Sequence, residues 1–341
     1  MTLRLRLDPI RAALVAAAAT AALASAAGCG LLAPTGVVAS AAETRLAVTG
    51  LPAATCRVVD AGTTPRAARH TGPVVSTLRY GSDGSQPLYG VLRIPATTSV
   101  DALPIVLLVH GGGWMHGDMS EMDPAVTALG AAGIATFNID YGLATEAEPG
   151  FPRALDDIAQ AVRFLRARAA AFGVDGSRIG AIGSSAGANL VSLLATTGQG
   201  SCLSGARLAA VVSWSAPFDV ADYGSASAGQ CEVAAAACGH LAQEARSYIG
   251  CSYVACPHEW QQASVAPHVT PDDPPMLLFT SNKELIPAEQ ARDVAEVLQR
   301  EHVPHQLVVL PGGRHAASYA KTALPLSIEF LRTYLEPSPS A

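Results

Sequence analysis

The sequence predicts an α/β fold with a mostly parallel central sheet and helices on both faces. Apolar runs of strand length alternate with longer segments in which apolar residues recur every three or four positions. The run 105–109 consists of five consecutive apolar residues, typical of a central parallel strand buried on both faces. Half of the 341 residues are hydrophobic and 15% are charged, so the chain can bury a large core.

The first predicted element is an antiparallel hairpin, because residues 74–80 and 88–94 have strand character and flank a turn-rich cluster at 81–85. Strands and helices alternate after it, which gives parallel strand pairs. The predicted strands are 105–109, 134–139, 179–182, 208–215, 274–280 and 305–310, and the predicted helices are 122–132, 152–172, 188–195, 287–301 and about 318–334.

Two regions depart from simple alternation. The helix 152–172 contains the neighbouring carboxylates Asp156 and Asp157. Adjacent helical residues do not face each other, so we expect a structural role, with one of the two bonding to the neighbouring loop. Residues 219–273 lose the strand–helix pattern, and we interpret them as an insertion over the functional site, held by disulfides.

Residues 183–187, called the serine turn below, fit the pattern G-x-S-x-G between a predicted strand and a predicted helix. In that context the turn strains the backbone of Ser185 and exposes its hydroxyl at a helix N-terminus. Gly183 and Gly187 fit because side chains at those positions would collide across so sharp a turn. The alternative is an ordinary strand-to-helix turn without a chemical role.

Residues 110–118, called the triple-glycine loop below, follow the strand 105–109 and contain Gly111, Gly112 and Gly113. Glycines after a strand expose backbone N–H groups that can stabilise a developing oxyanion. The alternative is a loop that merely turns the chain. A phosphate-binding loop is disfavoured, because neither G-K-[ST] nor G-x-G-x-x-G follows.

A nucleophilic serine needs a base and an acid that orients the base. His315 lies in a glycine-containing loop after the final strand, and its position after the serine fits the order serine, acid, histidine. Glu284 is the first candidate for the acid, since it is the carboxylate in the loop after the strand 274–280; Asp219 is the second. We expect His110 and His116 to brace the triple-glycine loop, and His302 and His305 to be exposed.

From about Val74 onward the chain resembles an α/β-hydrolase carboxylesterase of the hormone-sensitive-lipase-like branch. The resemblance is carried by 110–114 (His-Gly-Gly-Gly-Trp), 141–144 (Tyr-Gly-Leu-Ala), 183–187 and 313–315 (Gly-Arg-His). It implies Ser185 as nucleophile, with the N–H groups of Ala186 and of Gly112 or Gly113 as oxyanion donors.

Two positions depart from that family's pattern. Lys283 stands where relatives often carry the aspartate of Asp-x-x-x-Pro, with Glu284 one residue later, and Ser184 stands where many relatives have aspartate.

The motifs and the resemblance together predict hydrolysis of short- to medium-chain esters through an acyl-enzyme. The alternatives are a peptidase or acyltransferase using the same residues, or an inactive surface-tethered binding protein.

We expect a small-molecule ester substrate and no metal or cofactor. A net charge of −6 and a pI near 5.8 give no indication of nucleic-acid binding.

Residues 1–28 are predicted to be a signal peptide. Arg4, Arg6 and Arg11 precede an apolar stretch at 12–27, which is shorter than the roughly 20 residues that span a bilayer. The stretch ends at Cys29 in a sequence that resembles a lipoprotein cleavage site. We therefore expect an exported lipoprotein that faces outward and is anchored to the cell membrane by a lipid on Cys29. Simple secretion is the alternative. A linker at 29–55 and a catalytic domain at 56–341 follow.

The six remaining cysteines form an even set, which in an exported protein predicts up to three disulfides. A zinc site is the alternative, although its spacing is not standard. The favoured pairs are Cys231–Cys238, Cys251–Cys256 and Cys56–Cys202, and the zinc ligands would be Cys238, His240, Cys256 and His258.

Overall fold

The structure, a computed structural model, describes residues 72–336 apart from positions 85, 98–100, 199, 201, 203 and 226–234, and omits the side chains of 235–238. The described part of the chain forms an eight-stranded sheet in the order β1-β2-β4-β3-β5-β6-β7-β8. The strands are β1 Val74–Asp83, β2 Gln86–Ile94, β3 Leu103–Val109, β4 Ala135–Ile139, β5 Val174–Ser184, β6 Ala210–Trp214, β7 Met276–Ser281 and β8 His305–Leu310.

The sheet is antiparallel at one edge and parallel elsewhere. Strand β2 pairs antiparallel with β1 and β4, whereas the pairs from β4 through β8 are parallel. The predicted hairpin is therefore confirmed, with strands that extend further into its turn. The predicted central strand is also confirmed, because the side chains from Ile105 to Val109 are completely buried.

Helices cover both faces of the sheet, as predicted. The helices are α1 Asp123–Ala131, α2 Arg153–Phe172, α3 Ala186–Thr197, α4 Val220–Gly224, α5 Ala235–Ile249, α6 Pro257–Gln262, α7 Ala288–Arg300 and α8 Ala320–Leu335. Val126 and Leu331, from α1 and α8, belong to one buried cluster, while Ile158, Leu190 and Leu298, from α2, α3 and α7, belong to a second.

The segment between β6 and β7 contains the short helices α4 and α6 and the longer α5. The predicted disulfide Cys251–Cys256 is confirmed within this segment. Because Cys256 is bonded to Cys251, it cannot act as a thiolate ligand in the alternative zinc site. Cys202 is also disulfide-bonded. The predicted partner Cys56, and the side chains of the pair Cys231–Cys238, lie outside what the structure describes.

The predicted signal peptide 1–28, Cys29 and the linker 29–55 also lie outside the described residues. Among the helices that the structure does describe, none has both the length and the apolar character needed to cross a bilayer.

The parallel strands bring their carboxyl ends to one edge of the sheet. Val109 at the end of β3 pairs with Gly183 in β5, and Ser184 pairs with Trp214 at the end of β6. Ser281 at the end of β7 pairs with Leu310 at the end of β8. The triple-glycine loop, the serine turn and the loops after β7 and β8 therefore leave the sheet at the same edge.

Candidate active site

Ser185 lies between β5 and α3 in a left-handed backbone conformation, with φ of 49°. Its N–H donates to the carbonyl of Trp214 at 2.8 Å, which fixes the turn to the neighbouring strand. A Cβ on Gly183 would lie 2.3 Å from the carbonyl oxygen of Gly187, and one on Gly187 would lie 2.3 Å from that of His110. Both positions thus require glycine, but the collision lies across the turn, as predicted, at Gly183 alone; at Gly187 it is with the backbone that follows β3.

His315 lies in the loop after β8, and its Nε2 is 2.9 Å from the Oγ of Ser185. Two serines, one at the end of β7 and one just after β6, hold the backbone on either side of it. The Oγ of Ser281 donates to the carbonyl of Arg314 at 2.6 Å, and the N–H of Ala316 donates to the Oγ of Ser215 at 2.9 Å. The imidazole is therefore held facing the serine by contacts with the ends of β6 and β7.

A buried tyrosine completes this support. Tyr319 has its hydroxyl 2.7 Å from the Oγ of Ser215. Burial raises the pKa of Tyr319 well above its ordinary value, which favours the neutral hydroxyl in this contact. Sequence patterns gave no signal for Ser215, Ser281 or Tyr319, because each acts through a contact with a distant segment.

Glu284 contacts the other ring nitrogen of the histidine. Its Oε2 is 2.5 Å from the Nδ1 of His315. Its Oε1 accepts the backbone N–H of Ser281 at 2.6 Å and the hydroxyl of Thr280 at 2.8 Å. The side chain of Glu284 is completely buried. The structure thus brings the first acid candidate to the histidine.

Asp219, the second acid candidate, has a different environment. It begins helix α4, and its Oδ1 accepts the N–H of Asp222 at 3.1 Å and the hydroxyl of Ser264 at 3.2 Å. Such contacts are typical of a helix N-cap. Its carboxylate therefore serves the start of α4.

The triple-glycine loop folds tightly against the serine turn. Gly112 has φ of 101° and Gly113 has φ of 57°, conformations that glycine adopts without strain. The carbonyl of Gly112 accepts the N–H of His116 at 2.9 Å, and a Cβ on Gly112 would lie 2.2 Å from the carbonyl oxygen of His116. Ala186, the third predicted oxyanion donor, is the first residue of α3. Ala186 directly follows Ser185, and a Cβ on Gly111, the residue before Gly112, would lie 3.1 Å from the Cβ of Ser185. The assignment of these N–H groups as oxyanion donors stays a prediction.

The histidine predictions have mixed outcomes. The Nδ1 of His110 lies 2.8 Å from the carbonyl of Gly111, and its ring stacks on Tyr141, so it braces the loop as predicted. The side chain of His116 instead points to Glu244, at 3.9 Å, and is 63% exposed. The prediction that His305 is exposed was wrong, because it is buried with its Nδ1 2.9 Å from the carbonyl of Val303.

A carboxylate at the start of α2 supports the loop after β4. Asp157 accepts the N–H of Gly142 at 2.9 Å, which confirms that one of the two neighbouring aspartates bonds to this loop. Burial raises the pKa of Asp157 to about 6, against the lowering effect of that hydrogen bond. Its neighbour Asp156 is exposed.

Trp114 links the triple-glycine loop to the segment between β6 and β7. Its Nε1 donates to Asn189 at 3.3 Å, and its ring stacks on Tyr248 of α5 with 4.5 Å between ring centres. Asn189 in turn donates to the carbonyls of Pro217 and Ala263, both at 3.1 Å. This link joins segments that are far apart in the sequence, and motif spacing gave no sign of it.

Comparison with known proteins agrees with this geometry. The BD-FAE family matches residues 92–298, which is more than half of the chain. A carboxylesterase of Mycobacterium tuberculosis, NlhH, is 41% identical over 97 residues, covering 28% of this chain and 30% of that protein. Esterase LipC of the same species is 28% identical over 272 residues, covering 73% of this chain and 64% of LipC.

A solved structure with a similar fold is the hyperthermophilic esterase of Pyrobaculum calidifontis. It superposes with a TM-score of 0.65 at 21% identity, over 76% of this chain and 85% of the esterase. The chain spans less than two thirds of the length of the curated relatives named above. The sheet order, the strand-to-helix turn at Ser185 and the family match agree: this chain has the α/β-hydrolase fold and belongs to the BD-FAE family.

Proposed function

We propose that this chain is a serine carboxylesterase that hydrolyses short- to medium-chain carboxylic esters. The observation that carries the proposal is the continuous hydrogen-bonded chain from Ser185 through His315 to Glu284. The names of the relatives NlhH and LipC support the same reaction class.

In the first half of the reaction, the Oγ of Ser185 attacks the carbonyl carbon of the ester while the Nε2 of His315 accepts the serine proton. The carboxylate of Glu284 stabilises the resulting imidazolium through the N–H on Nδ1. When the carbonyl re-forms, the bond to the alcohol oxygen breaks, and His315 returns its proton to the departing alcohol. The product is an acyl-enzyme on Ser185.

In the second half, water takes the place of the alcohol. His315 accepts a proton from the water as its oxygen attacks the acyl carbon, and the second tetrahedral intermediate forms. Its collapse returns that proton to the Oγ of Ser185 and releases the carboxylic acid. Each step uses groups of the chain and water alone.

The negative charge of both intermediates develops on the former carbonyl oxygen. We propose that the N–H of Ala186 and the N–H of Gly112 or Gly113 bind it. Such preorganised donors are worth roughly 10²–10³ each in rate, because they need no reorganisation during the reaction.

The proposal is tested by measuring hydrolysis of p-nitrophenyl esters from acetyl to palmitoyl, with wild type and Ser185→Ala side by side. We expect turnover of the shorter esters and its loss in Ser185→Ala. Ser76→Ala, in edge strand β1, is the matched control and should keep wild-type rates. Absence of turnover on every ester, or full turnover by Ser185→Ala, would contradict the proposal.

We further propose that the chain is exported and anchored to the membrane by a lipid on Cys29. The arginine-rich start, the apolar stretch and the cysteine that follows support this. Expression in a bacterial host with a labelled fatty acid should mark the wild type and leave Cys29→Ser unmarked. Equal labelling of both chains would argue against a lipid on Cys29, and a soluble secreted product would favour simple cleavage.

A further inference from the structure

A carboxylate that lies outside the proposed catalytic residues joins the triple-glycine loop to the serine turn. The Oε2 of Glu121 accepts the backbone N–H of Gly111 at 3.1 Å, and its Oε1 accepts the hydroxyl of Ser184 at 2.5 Å. Gly111 immediately precedes two proposed oxyanion donors, and Ser184 immediately precedes the proposed nucleophile. One side chain thus contacts both parts of the reaction centre.

These contacts sit at a tightly packed point. A Cβ on Gly111 would lie 3.1 Å from the Cβ of Ser185 and 3.3 Å from the Oε1 of Glu121. Ser184 is completely buried, so its hydroxyl needs a partner, and Glu121 accepts from it. A change in the position of the carboxylate would therefore move the loop relative to the serine.

The short 3₁₀ helix Met119–Met122 that carries Glu121 is itself anchored. Asp118 caps it by accepting the N–H of Ser120 at 2.8 Å. At the end of β4, Asp140 accepts the N–H of Met119 at 2.7 Å, and the amide of Asn138 donates to the carbonyl of Met119 at 2.7 Å. Residues at the end of β4 therefore fix the position of this helix, and with it the carboxylate of Glu121.

We propose that Glu121 is a positioning residue that fixes the distance between the oxyanion donors and Ser185. This inference rests on the proposed esterase function. A negative charge close to a developing oxyanion would repel it, so the benefit of Glu121 lies in its hydrogen bonds. A glutamine can keep both contacts, because its oxygen accepts from Gly111 and its amide donates to the Oγ of Ser184.

The test compares Glu121→Met, which has similar length but no acceptor, with Glu121→Gln, with Ser184→Ala and with wild type. Glu296→Met, at an exposed position of α7, is the matched control. The quantities measured are kcat and KM on a p-nitrophenyl ester, with kcat divided by the concentration of active sites titrated with an organophosphonate. The same chains are assayed on the corresponding thionoester, whose sulfur accepts hydrogen bonds weakly.

Glu121→Met should lower kcat by about 10- to 100-fold, because small misplacements of reacting groups are costly, with KM within about 2-fold. The rate ratio of ester to thionoester should fall as well, which a purely structural role would not produce. Glu121→Gln should stay within about 3-fold of wild type in kcat. If Glu121→Met does not fold, Ser184→Ala carries the test, with a smaller fall in kcat and in the rate ratio.

Wild-type kcat and an unchanged rate ratio in Glu121→Met would overturn the proposal; if that variant does not fold, the same result in Ser184→Ala would do so. A raised KM at constant kcat would also overturn it, since that would indicate a substrate contact. Equal impairment of Glu121→Gln and Glu121→Met would likewise overturn the proposal, because it would assign the effect to the charge of Glu121 rather than to its hydrogen bonds. An inactive wild type would overturn the proposed function and this inference together, whereas an active wild type separates the two.

Discussion

The loop after β7 and the segment after β6 each carry a carboxylate just beyond the end of a parallel strand, in two different environments. In the first, the backbone of Ser281 and the hydroxyl of Thr280 bind one oxygen of Glu284, and the other oxygen reaches His315. In the second, the carboxylate of Asp219 accepts the N–H of Asp222 at the start of α4 and the hydroxyl of Ser264. The donors supplied by each turn therefore decide where each carboxylate points.

The backbone of Asp219 is also held by a side chain from α7. The side chain of Gln290 in α7 accepts the N–H of Asp219 at 3.1 Å and donates to its carbonyl at 3.2 Å. Asp219 thus belongs to a structural joint between α4 and α7. We therefore expect substitutions in the β7 loop to affect mainly catalysis, and substitutions around Asp219 in the β6–β7 segment to affect mainly stability.

The largest expected effect concerns the histidine that the β7 loop contacts. His315→Gln should lower kcat on p-nitrophenyl acetate by roughly 10⁴- to 10⁶-fold, because the base is lost. His268→Gln, in the β6–β7 segment, removes a 3.1 Å contact with the carbonyl of Gln262 and should leave kcat within about 3-fold. Similar losses in both variants would contradict the division between the two regions.

The two carboxylates should differ almost as strongly. Glu284→Gln is expected to reduce kcat by on the order of 10⁴, because the imidazolium loses its counter-charge and its orientation. Asp219→Asn should change kcat by less than about 3-fold and keep the start of α4 intact, because the asparagine Oδ1 also accepts the N–H of Asp222. Steady-state kinetics on folded protein, checked by circular dichroism, would show the opposite ranking if Asp219 were the acid.

Removing the disulfide Cys251–Cys256 tests whether the β6–β7 segment contributes to stability rather than to catalysis. The double variant Cys251→Ser/Cys256→Ser opens a short loop and should lower the free energy of unfolding by about 2 kcal/mol. Activity per titrated site should persist at temperatures where the variant is folded. Urea unfolding and kinetics on the same preparations would measure both quantities. A loss of kcat without a loss of stability would assign this loop a catalytic role.

Replacing Asp273, at the end of the β6–β7 segment, should have a smaller effect: a gain in the free energy of unfolding that depends on pH. Burial raises the pKa of Asp273 from 3.8 to about 6, against the lowering effect of its hydrogen bonds with Thr270. The folded state thus favours the protonated form of Asp273. The free energy of unfolding of the wild type therefore falls as pH rises from about 4 through 6, where the buried carboxyl loses its proton. Asp273→Asn should therefore be more stable than wild type at pH 8, by about 1–2 kcal/mol.

Thermal unfolding at several pH values measures this difference. It should shrink below pH 6 and vanish about a unit below the ordinary aspartate pKa of 3.8, where the wild-type carboxyl is neutral in both the folded and the unfolded chain. A gain of equal size at pH 4 and pH 8 would show that the charge of Asp273 is not its cause.

Local sequence patterns predict the strands, the main helices and the serine turn because these depend on residues near one another. The run 105–109 is apolar throughout, and the two glycines of the serine turn are required by contacts within a few residues or with the adjacent strand. The triple-glycine loop is recognisable for the same reason.

Contacts between distant segments are not visible in such patterns. The order of preference between Glu284 and Asp219 followed from loop position, whereas the hydrogen bonds that separate them depend on tertiary structure. Glu121 has no motif of its own, since its partner Ser184 is 63 residues away. The error at His305 has the same origin, because its burial depends on packing around β8.

We propose that Ser185 is the nucleophile and that His315, which Glu284 contacts, activates it. Stoichiometric labelling with an organophosphonate, followed by intact mass measurement and peptide mapping, tests this directly. We expect one adduct per chain, on the peptide that contains Ser185, absent in Ser185→Ala and formed much more slowly in His315→Gln. A label on another residue, or rapid ester hydrolysis by a chain in which Ser185 remains unlabelled, would contradict the account.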